Sequence, residues 1–199
     1  MTEPIKPMIP AAKAALDELL AGNERFRAGN SQTHIYTLED IRRIATEQHP
    51  IAAVIGCMDS RVTPEIIFDQ ALGNIFTSRV PGNVASDSAK WMLEIAVGEL
   101  HVPLVVVVGH TNCLAVGQLL QGDKGGPGGP LRYEIRNAVF EAQSKQPKDL
   151  YREAVIQNAR LTAQKLLRDS LTVSRAVREG QAEIVSALYE METGEVHLV

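Results

Sequence analysis

The stretch IAAVIGCMDSR, residues 51–61, joins an apolar run directly to a polar cluster. Residues 51–56 carry no polar side chain, which is the pattern of a strand buried on both faces. A second run of this kind, LVVVV at residues 104–108, comes shortly before the cluster HTNC at residues 110–113. The chain contains 2 cysteines, and each cluster holds one of them. The ends of these two runs are therefore the first candidates for a functional site.

Apolar spacing along the rest of the chain predicts strands that alternate with helices. We expect strands at residues 51–56, 74–80 and 104–108, and a closing hairpin of residues 182–189 and 195–199. Helices are predicted over residues 11–28, 38–48 (N-cap Thr37), 64–69, 86–100 (cap Ser86), a segment after Asn112, 131–144, 150–170 and 172–179. The glycine- and proline-rich residues 122–130 (GDKGGPGGP) are expected to form a loop.

This alternation indicates an α/β fold with a mainly parallel central β-sheet flanked by helices. A helical arm of about residues 1–50 precedes an α/β core of residues 51–199, and an antiparallel strand closes the sheet at the C-terminus. We expect residues 1–199 to form a single domain, because neither a linker nor an internal repeat interrupts the pattern.

Bulk composition narrows the class of protein. The net charge of −4 shows no basic excess, which argues against nucleic-acid or anionic-membrane binding. No apolar run approaches the ~20 residues of a membrane helix. Residues 1–10 lack the basic segment and apolar region of a signal peptide, so we expect a cytoplasmic protein. In a reducing cytosol, metal binding or catalysis is a better interpretation of the cysteines than a structural disulfide.

The topology predicts that both polar clusters lie on one rim of the sheet. In open parallel sheets, ligands bind beyond the carboxyl ends of the strands, and Cys57 and His110 each follow such an end. Two thiolates and an imidazole, from Cys57, His110 and Cys113, are zinc ligands of a tetrahedral site. A water in the fourth position would make the ion a Lewis acid and a source of hydroxide.

The neighbours of the first cysteine fit a working site of this kind. A carboxylate paired with a guanidinium stays ionised and oriented, and Asp59 with Arg61 could form such a pair. The carboxylate can accept a hydrogen bond from the hydroxide and direct its oxygen at a substrate. A closed zinc staple, or two buried free cysteines, is the alternative that these residues alone leave open. We also consider His34 as an element of a proton shuttle.

CMDSR followed by HTNC resembles the β-class carbonic anhydrases, and the resemblance covers most of the chain. It includes NERFRAGN at residues 23–30, VTPEIIFDQALGNIFTSRVPGN at residues 62–83, and the terminal hairpin of residues 189–199. The resemblance implies reversible hydration of CO₂ to bicarbonate, with one Zn²⁺ per subunit. It also implies a homodimer or dimer of dimers, in which N-terminal helices embrace the partner and the site lies at the subunit interface.

The same resemblance assigns roles to individual residues. It implies that Cys57, His110 and Cys113 bind zinc, that Asp59 and Arg61 form the catalytic dyad, and that Gln70 hydrogen-bonds the substrate. Some members have a closed state in which the aspartate, here Asp59, becomes the fourth zinc ligand. Those members carry a tryptophan where this chain has Val54, beside the equivalents of Arg79 and Tyr189. We therefore expect the open state, with Asp59 on Arg61.

Leu114 is a second departure, because the family usually has glycine directly after the second cysteine. A leucine here would crowd the metal or narrow the apolar approach to it. This residue gives some support to a different substrate on the same scaffold, carbonyl sulfide or carbon disulfide. A zinc-binding protein without turnover is the alternative from another class.

Overall fold

A five-stranded sheet forms the centre of the computed structural model, which describes residues 7–32, 36–122, 124–125, 127 and 129–199. The strand order is β2-β1-β3-β4-β5. The strands are β1 (Ala52–Cys57), β2 (Ile75–Val80), β3 (Leu104–His110), β4 (Glu183–Glu190) and β5 (Glu195–Leu198). All pairings are parallel except β4 with β5, as the sequence predicts.

The central strands β1 and β3 are buried along their whole length. Their apolar residues face helices on both sides, because a parallel sheet is covered on both faces. Ile55 lies beside Val107 in the register of this pair, so the two strands end close together. Cys57 and His110 are the last residues of β1 and β3, whereas the sequence placed both just after the strands. This position brings their side chains to the same rim of the sheet.

The helices divide between the two faces of the sheet. They are α1 (Pro10–Arg27), α2 (Leu38–Arg43), α3 (Pro64–Ile67), α4 (Asp87–Gly98), α5 (Leu114–Leu120), α6 (Gly129–Ser144), α7 (Leu150–Asp169) and α8 (Leu171–Arg178). A short 3-10 turn, Pro81–Asn83, follows β2. One apolar core contains residues of α4 to α8, and a second core contains residues of α1 and α3. Among the described residues, no helix has both the length and the apolar character to cross a bilayer.

Several predicted boundaries differ from the structure, most of them by one or two residues, and two of the differences have a clear physical reason. The helix from Leu38 ends at Arg43 instead of residue 48, although Thr37 and Asp40 form the capping box that the sequence indicates at its start. None of the residues of α2 is buried, so no tertiary contact extends the helix. Helix α6 begins at Gly129, inside the predicted loop, because Pro130 is compatible with a first helical turn.

The helical arm is bonded to the core through Asn23. The side-chain amide of Asn23 donates to the carbonyls of Ile67 at 2.9 Å and Gly194 at 2.8 Å. Its oxygen accepts the N–H of Val196 at 2.9 Å. Arg25 adds an ion pair with the buried Asp69 at 2.6 Å. Helix α1 is therefore fixed against both α3 and the terminal hairpin.

Candidate metal centre

The three ligand side chains that the sequence predicts come together at the rim of the sheet. Cys57 ends β1, His110 ends β3, and Cys113 lies directly before α5. Their ligand atoms all lie within 4.8 Å of one another, and the sulfurs of the two cysteines are 3.9 Å apart. All three residues are buried. Two sulfurs and one nitrogen at this spacing fit a zinc site.

The ring of His110 is oriented for metal binding. Its Nδ1 lies 2.9 Å from the carbonyl oxygen of Thr111. Because a carbonyl can only accept, Nδ1 carries the proton and Nε2 keeps its lone pair. Within the described part of the chain, Nε2 is buried and has no hydrogen-bond partner. A buried nitrogen without a partner is costly, and a metal ion at the cluster would satisfy it.

The two thiols interact with each other. Their sulfurs are 3.9 Å apart, and this contact is the largest cause that lowers the pKa of Cys57, to about 4. The same contact with Cys57 raises the pKa of Cys113, and burial adds to the effect. A divalent cation would remove this conflict, since it stabilises both thiolates at once.

Asp59 and Arg61 form a two-pronged ion pair beside the cluster. The Nε of Arg61 donates to Oδ1 of Asp59 at 2.9 Å, and Nη2 donates to Oδ2 at 2.7 Å. The guanidinium holds the pKa of Asp59 well below its usual range, so the carboxylate is ionised at neutral pH. Arg61 also reaches the carbonyl of Asn112 at 3.1 Å, next to Cys113.

Arg79 supports the loop that carries this pair. Its guanidinium donates to the carbonyl of Cys57 at 3.0 Å and to that of Asp59 at 2.5 Å. Val54 and Tyr189, the other two positions that the sequence singles out for a bicarbonate pocket, are both buried in the sheet. The cationic group of Arg79 is thus occupied by backbone carbonyls next to the candidate metal ligands.

A cavity of about 700 Å³ opens over the cluster, and Cys57, Asp59 and Arg61 lie in its wall. Leu114 and Met58 line the same cavity, and they are 70% and 59% exposed. The leucine therefore forms part of the apolar approach to the candidate metal site. Its side chain is exposed within one chain, whereas the three ligand residues are buried.

Gln70 lies outside the cavity over the cysteine and histidine cluster. It is 4% exposed and lines a separate cavity of about 330 Å³, which shares no residue with the cavity over the cluster. Its Nε2 donates to the carbonyl of Phe68 at 2.9 Å. Within a single chain the structure does not bring Gln70 to the cysteines, and the substrate-binding role stays a prediction. His34, considered as a proton-shuttle element, lies outside the described residues.

Sequence reasoning missed two residues of α7 that contact the ligand loops. The hydroxyl of Tyr151 donates to the carbonyl of Cys113, and Nδ2 of Asn158 donates to the carbonyl of Gly82. Asn158 is buried between Val155, Ala159 and Thr162 on a mainly apolar helix face. A polar side chain among apolar positions was the available signal, although it did not reveal the partner.

These features define a class of zinc-binding α/β protein. Its mainly parallel sheet carries a buried Cys-His-Cys cluster at one rim, next to an Asp-Arg ion pair. The family model described as "Carbonic anhydrase" matches residues 52–196. The chain therefore belongs to the β-carbonic anhydrase family.

Individual relatives match over nearly the whole chain. Carbonic anhydrase 2 of Mycobacterium tuberculosis is 35% identical over 185 residues, which cover 91% of this chain and 89% of the relative. The carbonic anhydrase of Mycolicibacterium smegmatis is 34% identical and covers 93% and 92% of the two chains. The solved structure of the β-carbonic anhydrase CafA of Aspergillus fumigatus has a TM-score of 0.69 at 28% identity, over 94% of this chain and 89% of that one.

Proposed function

We propose that this protein catalyses the reversible hydration of CO₂ to bicarbonate and a proton, with one zinc ion per chain. The observation that carries the proposal is the Asp59–Arg61 ion pair in the same cavity as Cys57, the first candidate ligand. A purely structural zinc site requires a fourth protein ligand. The carboxylate that could supply one, that of Asp59, is held by Arg61. This geometry supports an open site, with Asp59 on Arg61.

Cys57, His110 and Cys113 would hold the metal. When bound, zinc supplies a Lewis acid that lowers the pKa of a water molecule. The ionised Asp59 is a weak base, because Arg61 lowers its pKa. Its role is therefore to accept a hydrogen bond from the nucleophile and orient it, while the proton leaves to buffer. Leu114 and Met58 provide an apolar wall for CO₂.

We further propose that the working form is a homodimer or dimer of dimers, in which Gln70 reaches the metal cavity of a partner chain. Two facts support this arrangement: Gln70 lines a different cavity from Cys57, and the apolar side chains around both cavities are exposed. Residues 1–199 would act as one domain, since Asn23 of the arm bonds to the core. A cytoplasmic location fits two cysteines that are kept as free thiols.

Stopped-flow assay of the zinc-loaded protein tests the reaction. We expect CO₂ hydration above pH 8, and we expect Asp59→Asn to lower kcat by about 100-fold or more with full zinc content, because an amide orients the nucleophile poorly. Asp17→Asn, which alters an exposed pair with Lys13, is the matched control and should leave kcat unchanged.

The same assay separates the alternatives. Full zinc loading without hydration above pH 8 would contradict the proposal and favour a zinc protein without turnover. The position of Leu114 in the cavity wall gives a specific reason to include carbonyl sulfide and carbon disulfide as substrates. Turnover of these sulfur compounds alone would assign the site to their hydrolysis.

A further inference from the structure

Helix α7 passes behind both cysteine ligands. Tyr151 and Asn158 are separated by about two helical turns, so they lie on the same side of the helix. Each side chain donates a hydrogen bond to a backbone carbonyl at the metal cluster: Tyr151 to Cys113 itself, and Asn158 to Gly82. One helix thereby contacts two loops that are far apart in the sequence.

Gly82 belongs to the short turn beside the first ligand. Val80, just before this turn, pairs with Cys57 in the sheet, and the carbonyl of Gly82 accepts from Asn158. The backbone of Gly82 has a φ of 61°, and an added Cβ would lie 2.7 Å from Cδ1 of Ile135. This residue is therefore held by the hydrogen bond to its carbonyl and by close packing at its side. A displaced carbonyl would also displace the turn that lies beside Cys57.

Tyr151 acts directly on the second ligand. The carbonyl of Cys113 accepts from the Tyr151 hydroxyl and also from the N–H of Gly117 at 2.9 Å, so both of its lone pairs are used. The backbone of Cys113 is thus fixed where α5 begins.

We propose that Tyr151 and Asn158 are positioning residues that hold the two sulfur ligands in their metal-binding geometry. The inference rests on the proposed metal site, with Cys57, His110 and Cys113 as ligands. Outer-sphere partners of metal ligands typically contribute about 10- to 100-fold to metal affinity, because they remove the need to reorganise the ligands when the metal binds. Both residues bind backbone carbonyls of the loops. Their effect on the position of these loops therefore does not depend on which substrate the site takes.

Purified variants loaded with zinc or cobalt provide the test. Tyr151→Phe removes a single oxygen and should fold, and Asn158→Leu removes the amide at similar volume. Asn23→Leu is the matched control, because Asn23 also donates a buried amide to backbone carbonyls but lies at the arm. Tyr133→Phe, an exposed tyrosine of α6, is the control for the hydroxyl.

Two readouts other than activity decide the outcome: zinc affinity by chelator competition, and the sulfur-to-cobalt charge-transfer absorption. We expect Tyr151→Phe and Asn158→Leu to weaken zinc binding by about 10-fold or more. In Asn158→Leu the charge-transfer band should differ from that of the parent protein, because the turn beside Cys57 is no longer held in place. The two controls should change neither zinc affinity nor the band.

Three results would overturn the inference. Unchanged zinc affinity and an unchanged cobalt spectrum in Tyr151→Phe would remove the role of the hydroxyl. Equal losses in Asn23→Leu and Asn158→Leu would show that destabilisation alone explains the effect. A parent protein without charge-transfer absorption would instead contradict the metal site itself, which separates failure of the proposed function from failure of this inference.

Discussion

Arg61 determines the orientation of the Asp59 carboxylate. Its guanidinium contacts both carboxylate oxygens, and its backbone N–H donates to Oδ1 at 3.0 Å as well. The side chain of Arg61 is 52% exposed, while that of Asp59 is 12% exposed. An exposed ion pair contributes little to stability, so the main effect of this one is orientation. The carboxylate faces the cavity in a single fixed position.

Replacing Arg61 with lysine separates charge from geometry. Arg61→Lys keeps the positive charge but loses the planar fork, so Asp59 gains freedom to rotate toward the metal. We expect kcat for CO₂ hydration to fall by about 10-fold or more, with unchanged zinc content. Stopped-flow rates and metal analysis of the same preparation measure both. Unchanged kcat would show that charge alone is sufficient at this position.

Sequence reasoning located the metal cluster because strand ends and ligand chemistry are both local properties. Cys57 and His110 each end a fully apolar run, and parallel strands end on the same rim. Gln70 could not be placed in this way, because within one chain it lines a different cavity from Cys57. Tyr151 and Asn158 were missed because their partners are backbone carbonyls, which no residue pattern marks.

At the level of elements, the interiors of helices were predicted better than their ends. Thr37 and Asp40 mark the start of α2, since a capping box is a local signal. The end of α2 at Arg43 has no such signal and reflects the absence of buried residues in this helix. Gly129 begins α6 although the sequence around it is rich in glycine, because the packing of Ile135 and Val139 on the core stabilises the helix.

The contact between α1 and α3 depends on one glycine. A Cβ at Gly22 would lie 1.8 Å from the carbonyl oxygen of Phe68, which is backbone and cannot rotate away. We expect Gly22→Ala to lower the free energy of unfolding by about 1–3 kcal/mol or more, because the helix must move off the core. Urea unfolding of the zinc-loaded protein at fixed concentration measures the change.

Gly129→Ala is the matched control for that experiment. An added Cβ at Gly129, in the first turn of α6, meets no atom within 4 Å. Alanine there should leave stability unchanged or raise it, by at most the difference in helix propensity of about 1 kcal/mol. Equal effects of the two substitutions would contradict the interpretation that close packing of α1 on Phe68 is the cause.

At the scale of the whole molecule, the separation of Gln70 from the cysteines makes assembly a testable property. A mixed dimer of Gln70→Ala and Asp59→Asn chains would contain one complete site, formed by the metal cluster of the first chain and Gln70 of the second. Each parent dimer would contain none. We expect random 1:1 mixing to restore about a quarter of the unmodified activity, since half of the dimers are mixed and each has one complete site.

The measurement is CO₂ hydration after the two inactive proteins are dissociated together and reassembled. Reassembly of each protein alone is the control and should give no gain. A mixture no more active than its components would show that Gln70 does not act across an interface. Sedimentation of the same samples establishes whether an even-numbered assembly has formed.

The position of α7 late in the chain has a consequence for how a cell fills the site. Synthesis proceeds from the N-terminus, so the segment that ends at Cys113 emerges from the ribosome before Tyr151 and Asn158 do. With the support that we propose for α7, an ion captured by the nascent chain is held by ligands whose loops are still unsupported, and it exchanges readily. Firm retention begins only after translation has passed this helix, which gives the growing chain time to release a wrong metal.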